Sequence, residues 1–437
     1  MSKRIIATFL LSAFIATFSI YCQQRKKLEK DLPELPEQAP HAFLIHFPNE
    51  NIAYSCNYQQ STWLLMANKN WQFKKASIND RNIAYYSLTR YNASEWSRSE
   101  NIININDSIE NISRDECILY RTVIPIPEEW YGLQVAIRIE SISPEIVLWV
   151  NGRKISHSKT SDNGCSFIIT PAIIFGRLNT ILIQQMTVKK VKIRNESNVI
   201  ISAFPNVAIN DVYYKTQVLD SNNVKIKFAI FAKKFLPDIS EKFYLCLNIY
   251  DKKQKPLISE IHKTFNPSKK KDSIIYFDVL LKDIHLWSKS NPYNYSLVVS
   301  VRNKKDEVVD AIGHKIGFRD IGSNNNDVIL NDKTVPSDSI AEYDFIPFNK
   351  IHQLNKEGIN IKINVLSSII SNDFTNSDEV IENNSYIEMM IRKKIMHNRN
   401  YTNVIAWGIE GILDKNKIEW IKKIILKYDD TRPIIVK

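Results

Sequence analysis

The sequence predicts a multidomain β plus α/β chain, two antiparallel sandwiches followed by a parallel, helix-linked region. Three observations predict it. From about Ser61 to Ile321, short runs alternate apolar and polar residues at period two. Turn residues bound those runs, and Asn151-Gly152 suits a type I′ hairpin. After residue 322 the pattern becomes strand, helix, strand, an order that implies parallel βαβ units.

The 437 residues carry a formal charge of +11 and are 44% hydrophobic. Such a chain buries cores and is not disordered as a whole. Its lysines are scattered and form no basic face, so no nucleic-acid partner is expected. Attraction to anionic polysaccharide or lipid head groups stays open. In residues 1–22, Lys3 and Arg4 precede an apolar stretch from Ile5 to Ile20, which reads as an export signal. Cys22 then suggests a lipoprotein with its lipid on that thiol, although Tyr21 stands where a small residue is expected. Left uncleaved, the stretch is barely long enough for a membrane anchor. The expected location is therefore the bacterial cell envelope. Residues 23–60, with Pro33, Pro36 and Pro40, read as a tether and lead-in.

Cys56, Cys117, Cys165 and Cys246 have no metal-ligand spacing. Cys246 is expected as a buried thiol within a strand, and a Cys117–Cys165 bridge is open in an exported protein. His285, His314, His352 and His397 form no spaced set, and no phosphate loop is present. Neither metal nor cofactor is expected.

In residues 61–205, Trp71-Gln72-Phe73 opens the first sandwich. Tyr120 to Val123, the alternating Val135, Ile137 and Ile139, and Ile146 to Val150 continue it, with Phe167 to Thr170 and Thr180 to Gln184 after them. In residues 206–322, Val224 to Ile230, Phe243 to Ile249, Ile275 to Val279 and Leu297 to Val301 alternate likewise. Strands of that length at short spacing support an immunoglobulin-like sandwich. In residues 323–437, Phe348 begins a helix that Gly358 stops, and Ile359 to Val365 is a strand. Ser385 to Glu388 fits a capping box, ahead of Ile387, Met390, Ile391 and Ile395 at helical spacing. Val404 to Trp407 is a strand. Ile418, Ile421, Ile424 and Ile425 mark an amphipathic helix, and Pro433 to Val436 is the next strand.

Several uncommon residues recur at fixed spacing. L-W-S-x-x-N-P-Y-x-Y starts at Leu286, and G-F-R follows at Gly317 to Arg319. Together they resemble the end of the immunoglobulin-like domain in glycoside hydrolase family 2. The W-Q-F, Y-R-T-x-x-x-P-E-E-W and V-x-L-W-V-N-G-R-x-I segments resemble that family's sugar-binding jelly roll, with Trp130 and Trp149 as core or rim. Leu354 to Lys362, Asn400 to Trp407 and Asp430 to Pro433 resemble segments of its catalytic barrel. The resemblance implies a galactose-binding-like jelly roll, an immunoglobulin-like sandwich and an incomplete (β/α) barrel (TIM-barrel-like) over residues 323–437, against roughly 250 residues for a complete one.

It also implies where chemistry would sit. A retaining glycosidase needs two carboxyl groups. The family's acid/base glutamate follows the tryptophan-ended strand in W-x-x-x-N-E, and Gly411 and Ile412 occupy those positions here. A two-residue deletion makes Glu410 the acid/base candidate at a strand end; the plainer reading is a solvated loop glutamate. Trp407 and Lys362 are the substrate-binding candidates, Glu382 and Asp373 weaker carboxylates. The family's nucleophile lies beyond T-R-P. The expectation is an exported carbohydrate-binding protein without self-contained catalysis. The alternative is a β-galactosidase-like hydrolase, its barrel completed by a second polypeptide or holding an unrecognised nucleophile; a decayed product is the third. Half a barrel is expected to leave an uncovered apolar face.

Overall fold

The computed structural model describes residues 38–39, 41–101, 113, 115–140, 145–158, 164–186, 198–236, 241–267, 273–324, 326–366, 380–411 and 414–437. The export segment, Cys22, Asp373 and the Glu382 side chain lie outside these.

Between Leu64 and Phe204, a six-stranded and a four-stranded antiparallel sheet face each other. Their inward positions, among them Trp71, Tyr120, Leu148, Phe167, Ile183 and Ile201, make one core. Trp130 is buried in that core and its indole N–H donates to the Thr62 carbonyl. Asn151 and Gly152 both have positive φ, +50° and +88°, as a type I′ turn requires. The Cys117–Cys165 bridge does not form. Cys165 lies in the core between the sheets, whereas Cys117 faces outward with Leu119 and Leu182, so the six-stranded sheet separates them.

The second sandwich packs a three-stranded sheet on a five-stranded one around Phe228, Leu245, Phe277, Leu297 and Phe318. Cys246 is buried there as a free thiol, its pKa pushed up to about 11 by burial. Strand Tyr295–Arg302 is buried on both faces almost throughout, where alternation alone predicts one. The lead-in explains this. Strand His46–Phe47 pairs with Ile312 and Ala311, and helix Glu50–Tyr54 sets the Glu50 carboxylate on Arg302 at 2.7 Å. The Ala53 carbonyl lies so close that a Cβ at position 313 would meet it at 1.7 Å, so only glycine fits there. The lead-in, from His46 to Tyr54, thus belongs to the second sandwich.

The third region opens with a small antiparallel sheet, Ile321–Asn324, Asp327–Leu330 and Lys333–Val335. Then follow β1 (Ala341–Tyr343), α1 (Phe348–Glu357), β2 (Ile361–Leu366), α2 (Val380–Asn398), β3 (Val404–Ile409), α3 (Lys415–Tyr428) and β4 (Ile434–Val436). The four strands pair in parallel in the order β1-β2-β3-β4. Gly358 ends α1 in the left-handed conformation, φ +72°. Ser385 lies inside α2 and is no cap, because the helix begins at Val380. On the outer face, Ile363, Val365, Trp407 and Ile409 pack against Ile387, Ile391, Ile421 and Ile425 of the helices.

Buried ionic contacts join this region to both sandwiches. The Glu140 carboxylate has no exposed surface; it accepts from the Asn198 amide at 2.9 Å and from the Phe348 N–H, at the start of α1, at 3.2 Å. The positive end of the helix favours that charge. Arg399, just after α2, holds Asp211 of the second sandwich at 2.7 Å.

Candidate functional site

Alternation along β2 and β3 sends Lys362, Asn364, Ala406 and Gly408 to the face turned away from the helices. That inner face is polar at the carboxyl ends of the strands, where the expectation was an uncovered apolar surface. Lower down it meets the small antiparallel sheet, whose Val328, Leu330 and Val335 cover Ala406 and Ile435. The apolar part is therefore closed, and the charged part is left at the rim.

Glu410 follows the last residue of β3. Its Oε1 accepts from the Lys362 ammonium at 2.7 Å and its Oε2 from the Asn364 amide at 3.1 Å. Lys362 also reaches Oε1 of Glu342, on β1, at 2.9 Å. Lys437, just past β4, reaches the same Glu342 oxygen at 2.8 Å. A single ammonium touching both carboxylates at 2.7 and 2.9 Å keeps those oxygens within about 5.6 Å of each other. Glu342 is thus a second carboxylate beside Glu410, in place of the weaker candidates, the Glu382 side chain and Asp373, which lie outside the described residues. Its strand has three residues, too few for period two to register, and sequence reasoning missed it. The pairing Glu342 with Lys362 across the parallel ladder is the only signal, and it needs the register.

The electrostatics follow from the contacts. Burial by itself would raise the Glu342 carboxyl; the Lys437 and Lys362 ammonium groups outweigh it and hold the group down to about 2. The Lys362 side chain is only 3% exposed, against 35% for Glu342 and 28% for Glu410. Gly408 makes room for this packing: a Cβ there would lie 2.1 Å from the Asn364 side-chain oxygen.

Of the predicted residues, Lys362 and Glu410 meet. Trp407 does not join them. It is fully buried on the helix side, its indole N–H donating to Asp429 at 2.9 Å, so its ring offers no surface to a sugar. No metal-holding group of His, Cys, Asp or Glu occurs among the described residues. Burial lowers the pKa of His314 and His397, and takes His352 down to about 3.

A model of the family Glycosyl hydrolases family 2 matches residues 207–319. The chain is 22% identical over 216 residues to a beta-galactosidase of Clostridium acetobutylicum, covering 46% of this chain and 22% of that protein. It is 20% identical over 239 residues to a beta-galactosidase large subunit of Leuconostoc lactis, covering 52% and 36%. A crystal structure of a glycosyl hydrolase family 2 member from Bacteroides cellulosilyticus superposes with a TM-score of 0.71 at 15% identity, over 85% of this chain and 57% of that one. The matched stretches therefore span less than two thirds of each of these relatives.

Proposed function

We propose that this chain, which belongs to glycosyl hydrolases family 2, binds carbohydrate at the charged rim of its parallel sheet and does not cleave it with its own residues. The position of the Lys362 ammonium carries this reading. A retaining hydrolase needs its two carboxyl groups about 5–5.5 Å apart with the sugar's anomeric carbon between them. Glu342 and Glu410 lie side by side, but one ammonium, Lys362, touches both and occupies the place between them. Glu342, held ionised, has no proton to donate near neutral pH.

The same groups suit hydroxyl recognition. Two carboxylates accept, Lys437 donates from a half-exposed position, and the charges of Glu342, Glu410, Lys362 and Lys437 cancel. A neutral sugar fits a balanced cluster better than a uronate does. The likeness to a protein named as a large subunit supports a second polypeptide as partner. The Ile5 to Ile20 stretch and Cys22 support export and a lipid anchor at the cell envelope.

Titration calorimetry with neutral β-linked oligosaccharides, beside release of aryl groups from aryl β-glycosides, tests the reading. Binding without turnover is expected. Turnover that vanishes in Glu410→Gln would establish the second reading, a β-glycosidase, which the presence of a second carboxylate beside Glu410 favours.

A further inference from the structure

A cavity of about 450 Å³ opens where the second sandwich meets α2 and α3. None of its lining comes from the inner face of the sheet. Five cationic side chains line it: Lys215, Lys233, Arg392, Arg399 and Lys427. Only two carboxylates do, Asp211 and Asp430, and both are engaged. Asp211 accepts from Arg399 at 2.7 Å. Asp430 accepts from Lys215 at 2.6 Å and from the Tyr213 hydroxyl at 3.1 Å. Lys427 pairs with Glu388, outside the lining, at 2.9 Å. Lys233 and Arg392 form no ion pair among the described residues. Arg392 rests over the Tyr428 ring at 5.4 Å, with Glu388 near enough to feel its charge. Arg399 rests over Tyr213 at 4.6 Å.

Cations gathered on one concave wall repel each other, and the low-dielectric wall concentrates their field. Lys233 rests over the Phe235 ring at 5.2 Å, as Arg392 does over Tyr428, and both still line the cavity. An anionic guest relieves the repulsion and gives both groups charge-assisted hydrogen bonds. The volume falls within the range of small-molecule sites.

We propose that this cavity binds a small polyanion carrying sulfate, phosphate or carboxylate groups, held between Lys233 and Arg392. An acidic sugar and a phosphate ester share that chemistry. The site is separate from the sheet rim and stands whether or not neutral sugars bind there.

Calorimetry on the full chain with tripolyphosphate, a sulfated disaccharide and the unsulfated parent sugar tests it. At least one polyanion is expected to bind, more weakly as salt rises, and the parent sugar is expected to leave the cavity empty. Lys233→Gln and Arg392→Gln should each weaken the polyanion roughly tenfold, with circular dichroism unchanged. Arg392→Lys, which keeps the charge, should retain part of the affinity. Binding of the sulfated sugar alone assigns an acidic saccharide, and binding of tripolyphosphate alone a phosphate ester. No polyanion binding by the unaltered chain, or equal binding by all variants, overturns the proposal.

Discussion

Ile363 and Trp407 point from the parallel sheet toward the helices; Lys362 and Gly408, each one residue away on the same strands, point the other way. The outer set sits in a continuous apolar core. The inner set holds two carboxylates, an ammonium and the glycine that lets them pack. Strand periodicity thus puts the apolar core and the charged cluster proposed for recognition on opposite sides of one element. Changes to the two faces should separate: outer substitutions lower stability and leave ligand contacts alone until the sheet melts, whereas inner ones alter binding with smaller losses of stability.

Trp407→Ala tests the outer face and should have the largest effect. It empties a fully buried site and leaves the Asp429 carboxylate without the indole. A loss of about 3–5 kcal/mol is expected in urea denaturation. A loss under about 1 kcal/mol would mean that the helices do not hold this face as described. Lys362→Met removes the ammonium shared by Glu342 and Glu410 and leaves them repelling. Both carboxylates are partly solvated, which discounts the penalty for a buried pair to about 1–3 kcal/mol. Neutral-sugar affinity should fall with it; undiminished affinity would place the binding surface elsewhere. Gly408→Ala pushes a methyl group against the Asn364 side-chain oxygen. About 1–2 kcal/mol is expected, together with weaker sugar binding, because Asn364 must move away from Glu410.

What the sequence disclosed divides along the same line. The two sandwiches were legible because their strands are long: Phe243–Tyr250 alternates over eight residues, and Asn151-Gly152 marks its own turn. Lys362 and Glu410 stand out in the sequence only through the resemblance of their segments to those of the family. Glu342 did not, because three residues carry no period and its role depends on which strand lies beside it. The burial of Trp407 is not legible either, since a tryptophan at a strand end reads alike whether it faces a ligand or a helix; only the Asp429 contact decides. The place of the lead-in is not legible, because a two-residue strand, His46–Phe47, gives no local sign that it completes a distant sheet.

Glu342→Gln gives the smallest effect and the most specific one. In the folded chain the carboxyl is held at about 2, against 4.5 for the free group. A lowered value means that the ionised form is favoured by folding. The stabilisation is therefore complete above about pH 4.5 and fades as pH falls toward about 2, where the carboxyl takes up its proton and releases Lys362 and Lys437. Glutamine keeps the shape but not the titration. Urea midpoints across that acid range should fall more steeply for the unaltered chain than for the variant, and the two curves should converge at the acid end. Parallel curves would show that Glu342 does not carry the charge the cluster requires. The inner face would then be held by Lys362 and Glu410 alone, and the objection to catalysis that rests on an ionised Glu342 would fall with it.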